Sequence, residues 1–190
     1  MFQNFLKIII FFVLITSQAH ARKLENLFDD WHVLSTIQDS NKVCYIASIP
    51  KNEEGSYKKR SEPYLLVSLF NERKPEISVS SGYEYKPGAA VEIVIGESKF
   101  RLKKIQGERA WAENEELDMS LVAAMKRGNS LKARGTSTVG TYSIDTYSLK
   151  GFTKAYNKMV QLCTEIEEEK AEAEEDGGDD EYYKDEEGDM

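Results

Sequence analysis

Two cysteines, two histidines and four prolines are all that 190 residues contain of these types. Each scarcity removes a class of chemistry. Without a C-x-x-C pair there is no dithiol for redox catalysis. His20 falls within an N-terminal export segment, so His32 is the imidazole left for a triad or an acid–base pair. His32 follows Trp31 inside an apparent strand, where a surface or packing role is expected. No residues with zinc-ligand spacing accompany it. Neither G-x-x-x-x-G-K nor G-x-G-x-x-G occurs, which excludes the common phosphate-cradling loops. G-x-S-x-G is missing too, and Gly135–Gly140 (GTSTVG) reads as a turn. The expectation is no catalytic set, no metal and no cofactor.

Long apolar runs are also scarce. The longest is Ile8–Ile15 (IIIFFVLI), too short for the roughly 20 residues of a membrane-spanning helix. Lys7 precedes it, and Ala19-His20-Ala21 follows as an A-x-A cleavage site. Residues 1–21 therefore read as a signal peptide cut after Ala21, with Ala19 and Ala21 as its small residues. The mature chain would begin at Arg22 in an oxidising compartment.

The net charge of −8 hides two unlike parts. Glu165–Met190 holds fifteen acidic residues against Lys170 and Lys184, while the remainder has eighteen acidic and twenty-three basic residues. A mildly basic domain thus carries an acidic tail, 164–190. Glu165–Glu175 can extend a preceding helix, Gly177-Gly178 should end it, and the remainder buries too little to order itself. Solubilisation is one role for the tail; folding back onto a basic face is another.

Strand patterns dominate the rest. Trp31–Ile37, Val43–Ile49, Tyr64–Asn71, Glu76–Gly82, Ala90–Ile95, Lys99–Ile105, Arg109–Glu113, Leu131–Thr136 and Thr141–Leu149 are rich in alternating β-branched and aromatic residues. Pro50–Pro63 reads as a long exposed loop. The period changes at Leu117–Arg127, with Met119, Val122 and Met125 on one face and Asp118 as expected N-cap, and again at Phe152–Cys163, a short helix after Gly151. Eight or nine short strands with two short late helices and no strand–helix alternation predict an antiparallel β-sandwich or barrel. Asp145 is expected to point outward. The exported pair Cys44 and Cys163 is expected to form a disulfide, the alternative being two buried thiols.

Lys58, Lys59 and Arg60, with Lys99, Arg101, Lys103 and Lys104, make a candidate basic face for an acidic partner. Ordinary solvated loops and strand faces are the plainer alternative. Nucleic acid is not expected, given export and the acidic tail.

Several short segments, in order, resemble the invasion-associated locus B family. They are Trp31-His32-Val33, Val43-Cys44-Tyr45, Tyr64-Leu65-Leu66-Val67 and Tyr85-Lys86-Pro87-Gly88 before Val91-Glu92-Ile93. Ala110-Trp111-Ala112-Glu113, Leu121–Gly128 and the closing Ser148–Ala155 (SLKGFTKA) continue the series. The resemblance implies an immunoglobulin-like β-sandwich exported by a Gram-negative bacterium, periplasmic or outer-membrane associated. It brings no catalytic residues. Many members have extra cysteines before the late helix; Gln106–Ala112 has none, leaving Cys44–Cys163 as the one available bridge.

The leading functional expectation is a non-enzymatic periplasmic or envelope-associated binding protein whose partner is an envelope component, with peripheral membrane association as one form. The alternative is a secreted or surface-exposed factor engaging host or neighbouring cells. A hydrolase working through carboxylates in a cleft is the third.

Overall fold

The structure, a computed structural model, describes residues 23–38, 41–69 and 74–176. The expected signal peptide with Ala19 and Ala21, residues 39–40 and 70–73, and the tail from Gly177 lie outside the described residues. Twelve strands among the described residues form two antiparallel sheets. The larger sheet runs β1 (Lys23–Phe28), β2 (Trp31–Gln38), β3 (Asn41–Ser48), β5 (Tyr64–Leu69), β6 (Pro75–Ser80), β10 (Arg109–Trp111) and β9 (Lys104–Gln106). The smaller runs β4 (Asn52–Gly55), β12 (Tyr142–Ser148), β11 (Ser130–Thr136), β7 (Val91–Ile95) and β8 (Ser98–Leu102). The architecture is the expected antiparallel β-sandwich, with helices α1 (Glu115–Arg127) and α2 (Phe152–Asp176) late in the chain.

The period of two decides what lies between the sheets. Val33, Cys44, Ile46, Leu65, Val67, Ile77 and Val79 point inward from the larger sheet. Val91, Ile93, Leu102, Leu131 and Tyr147 meet them from the smaller one. Where five strands fail to cover seven, α2 closes the gap with Phe152, Ala155 and Met159. Trp31 anchors that end. Its ring meets Phe152 edge-on at 4.9 Å, and its Nε1 donates to the Ser148 carbonyl at 3.0 Å. Gly151, at φ +88°, lets the helix start against the β1–β2 turn; a Cβ there would stand 2.1 Å from the Phe28 carbonyl oxygen. The disulfide Cys44–Cys163, with Cα atoms 6.0 Å apart, fastens α2 to β3.

Several expectations need correction. The second helix runs past Cys163 to Asp176, the extension through the acidic stretch that was open to it before Gly177-Gly178. Residues before Trp31 form β1, which completes a hairpin through Asp29-Asp30. The Pro50–Pro63 loop contains β4, because that segment pairs with the outer edge of β12. Lys99–Ile105 is two strands in two sheets: the chain leaves β8 at Leu102 and enters β9 at Lys104. Asn114, not Asp118, caps α1, its side chain accepting from the Leu117 N–H at 3.0 Å. Asp118 lies one turn further in, buried, and accepts from the Ile77 N–H at 2.8 Å. It ties α1 to β6. Met119 is exposed, and the buried face of α1 centres on Leu121 and Met125.

Candidate functional site

The seven basic residues of the candidate face do not come together. Arg60 is not a surface cation: its side chain is 3% exposed and forms a bidentate pair with Asp145, at 2.5 and 2.8 Å. Asp145 is fully buried, opposite to its expected orientation, because Arg60 reaches in from the loop to meet it. Burial opposes the Arg60 charge, but the hydrogen bonds to Asp145 and to Glu53 at 2.7 Å outweigh it and hold the guanidinium protonated. Ser143 donates to Asp145 at 3.1 Å and shares a hydrogen bond with the Tyr83 hydroxyl at 2.9 Å. This cluster bolts the Pro50–Pro63 segment onto β12. Lys58 and Lys59 remain exposed beside it.

Lys99 and Arg101 lie on the outer face of the smaller sheet. Strand register sets Lys99, Val94 and Lys132 on one rung and Arg101, Glu92 and Arg134 on the next. Lys132 and Arg134 therefore belong to this basic patch, and Glu92 tempers it. Lys103 is held by Glu113 at 2.9 Å. Lys104 belongs to the other sheet altogether.

That other face carries the most developed surface. The inner side of the larger sheet is closed by the second sheet and α2, whereas no element among the described residues covers its outer side. Residues directly opposite on paired strands share a face. One rung reads Leu34, Tyr45, Ser68, Glu76; the next reads His32, Ala47, Leu66, Ser78, Trp111, Lys104; a third reads Tyr64, Ser80, Arg109. Small residues at Ala47, Ser68 and Ser78 lower the middle. Tyr45, Tyr64 and Trp111 rise around them. The result is a trough of about 520 Å³, and a hollow of about 400 Å³ continues it past Glu76 and Trp111 to Lys104. Arg109 lies between two rings, its guanidinium carbon 5.7 Å from the Tyr64 centroid and 5.3 Å from that of Trp111. It donates to the Ser78 hydroxyl at 3.2 Å. The arrangement offers flat aromatic faces and an oriented cation, which suits binding.

The trough was not found from the sequence, although each of its residues was read as a strand residue. Its signal is a set of Ser and Ala at outward positions of otherwise apolar strands. That signal acquires meaning only when β5, β6 and β10 are known to be neighbours, and β10 arrives from thirty residues downstream.

A family model described as Invasion associated locus B (IalB) protein matches residues 31–160. Among solved structures, the crystal structure of invasion associated protein b from Bartonella henselae superposes with a TM-score of 0.55 at 19% identity. The match covers 75% of this chain and 99% of that one. No curated protein matches the sequence.

Proposed function

This chain belongs to the Invasion associated locus B family, and from that premise we propose that it is an exported, non-enzymatic binding protein of the cell envelope. The observation that carries this reading is the open aromatic trough on the larger sheet. Export is supported by the n-region, apolar run and A-x-A order of residues 1–21. A disulfide spanning 119 positions fits an oxidising compartment such as the periplasm. The non-enzymatic reading draws on the polar cluster around Asp145: Ser143 and Asp145 have no exposed surface from which to reach a substrate. The basic rungs on the smaller sheet suit peripheral contact with anionic head groups. No nucleic-acid role is proposed.

Capture from envelope extract tests this. The bait is the oxidised protein, compared with Trp111→Ala, with a chain lacking residues 177–190, and with a charge-matched control. Wild type should retain a component that Trp111→Ala loses. Equal recovery by both, or nothing above the control, overturns the proposal. Better recovery without the tail would identify the tail as a competitor of the partner.

A second reading is a secreted or surface-exposed factor engaging other cells. It is favoured by the name of the Bartonella henselae counterpart, an invasion associated protein. Cell fractionation separates the two, since a purely periplasmic pool removes the second.

A further inference from the structure

We propose that the trough takes an acidic oligosaccharide, its sugar rings lying on Tyr45, Tyr64 and Trp111 and its carboxylate on Arg109. This deepens the preceding reading and rests on the trough being the binding site.

The argument begins with shape. The trough crosses from β2 to β10, four strand spacings, or about 19 Å. It is long, shallow and open along its length. A pyranose has a flat C–H face that packs on an aromatic ring, while its hydroxyls keep their water at an open rim. The small floor residues leave room for rings to lie flat between raised aromatics.

Charge completes it. Arg109 pairs with no carboxylate among the described residues, and its Nε is buried without a hydrogen-bond partner. The two flanking rings and Ser78 fix its plane. An oriented guanidinium that lacks a carboxylate partner is a carboxylate receptor. Lys104, on the rung beside Trp111, adds a second positive charge at the same end, and Glu76, which lines both the trough and the hollow, tempers it. A neutral glycan leaves both unmatched.

Other occupants fit less well. An acyl chain in so open a groove keeps much of its surface in water. Two copies of a concave face do not fill one another. A peptide laid on the face finds no free backbone partners there, because β2, β3, β5 and β6 are each paired on both sides. Its own amides would be covered without hydrogen bonds.

The test uses the purified, oxidised protein on an array of uronic-acid, sialylated and N-acetylmuramic-acid oligosaccharides beside neutral counterparts and acidic peptides. Acidic oligosaccharides should be retained at least about tenfold more tightly than neutral ones, the scale of a charge-assisted contact. Arg109→Gln should remove that preference. Trp111→Ala should weaken both. Lys132→Gln with Arg134→Gln, on the other sheet, should change neither. Thermal unfolding checks each variant, and Tyr64→Ala replaces Trp111→Ala if the latter does not fold. Absence of acidic-glycan binding, insensitivity to Arg109, or equal Arg109-dependent retention of acidic peptides overturns the proposal. If Trp111→Ala still abolishes envelope capture while the array is silent, the trough stands as a binding site and the glycan assignment alone falls. Loss of neither removes both.

Discussion

Replacing Asp145 with alanine should be among the most damaging single changes in the domain. The carboxylate has no exposed surface and the Arg60 side chain has 3%, so removing the carboxylate leaves a buried guanidinium with only the half-exposed Glu53 and the Ser81 carbonyl as partners. A broken buried pair of this kind costs about 3–5 kcal/mol. Ser143 also loses an acceptor, adding roughly 1 kcal/mol. Against a typical total stability of about 5–15 kcal/mol, the variant loses a large share. At about 2–4 °C per kcal/mol for this size, the melting temperature falls by roughly 8–24 °C. The loss is local as well as global. Arg60 anchors the segment carrying Lys58 and Lys59, so trypsin should cut there faster in Asp145→Ala while the wild type resists. Arg60→Met combined with Asp145→Leu should recover at least half of the loss, because no buried charge is left unpaired and Glu53 is 43% exposed. Urea unfolding of wild type, Arg60→Met, Asp145→Leu and the double variant measures the pair as a double-mutant cycle. A single-variant loss below about 1 kcal/mol, or a double variant no better than Asp145→Ala, would refute the reasoning.

Three further outcomes follow from the packing. Reduction of Cys44–Cys163 frees a loop of 119 positions and should lower unfolding free energy by about 2–5 kcal/mol, with hydrogen exchange placing the first loosening in α2; unchanged exchange there would contradict the fastening role. Burial pushes the Asp118 carboxyl up to about 6 from 3.8, against the lowering pull of the Ile77 N–H. The folded state then holds this proton more tightly than the unfolded chain, so its contribution is full below about pH 4 and falls by roughly 1–3 kcal/mol as pH rises through 6. Asp118→Asn keeps an acceptor for Ile77 and should flatten that slope in urea titrations from pH 4 to 8; parallel profiles would rule it out. Gly151→Ala meets both a left-handed φ and the Phe28 carbonyl, and should cost more than about 1 kcal/mol in thermal unfolding, whereas a neutral result would mean that α2 need not approach so closely.

Alternation made most inward residues readable. Val33, Cys44, Ile46, Leu65 and Val67 fall on the faces that period-two counting gives them. It failed at Asp145, where a polar residue faces inward because its countercharge comes from a loop 85 positions away. It failed again at Lys99–Ile105, where one alternating run serves two sheets. Local pattern carries no information about either event. The same blindness explains the scattered basic residues: sequence proximity grouped Arg101 with Lys104, while the crossover at Leu102–Lys104 sends them to different sheets. Lys132 and Arg134 join Lys99 and Arg101 only through the pairing of β11 with β7.

The division of labour between the two faces of the larger sheet connects stability to the proposed recognition. Its inner face is closed by the second sheet, by α2 and by the disulfide, so the domain does not depend on covering the outer one. Ser68, Ser78 and Ala47 would be poor choices for a sheet needing outward packing, since larger β-branched residues cover more surface there. They are good choices for a depression with Tyr45, Tyr64 and Trp111 standing around it. Arg109 follows the same logic. It is steadied by rings and a hydroxyl instead of a carboxylate, which leaves its charge available to an arriving anion. Substitutions on the trough should therefore separate binding from folding more cleanly than substitutions at Trp31, Asp145 or Met159, whose side chains are fully buried.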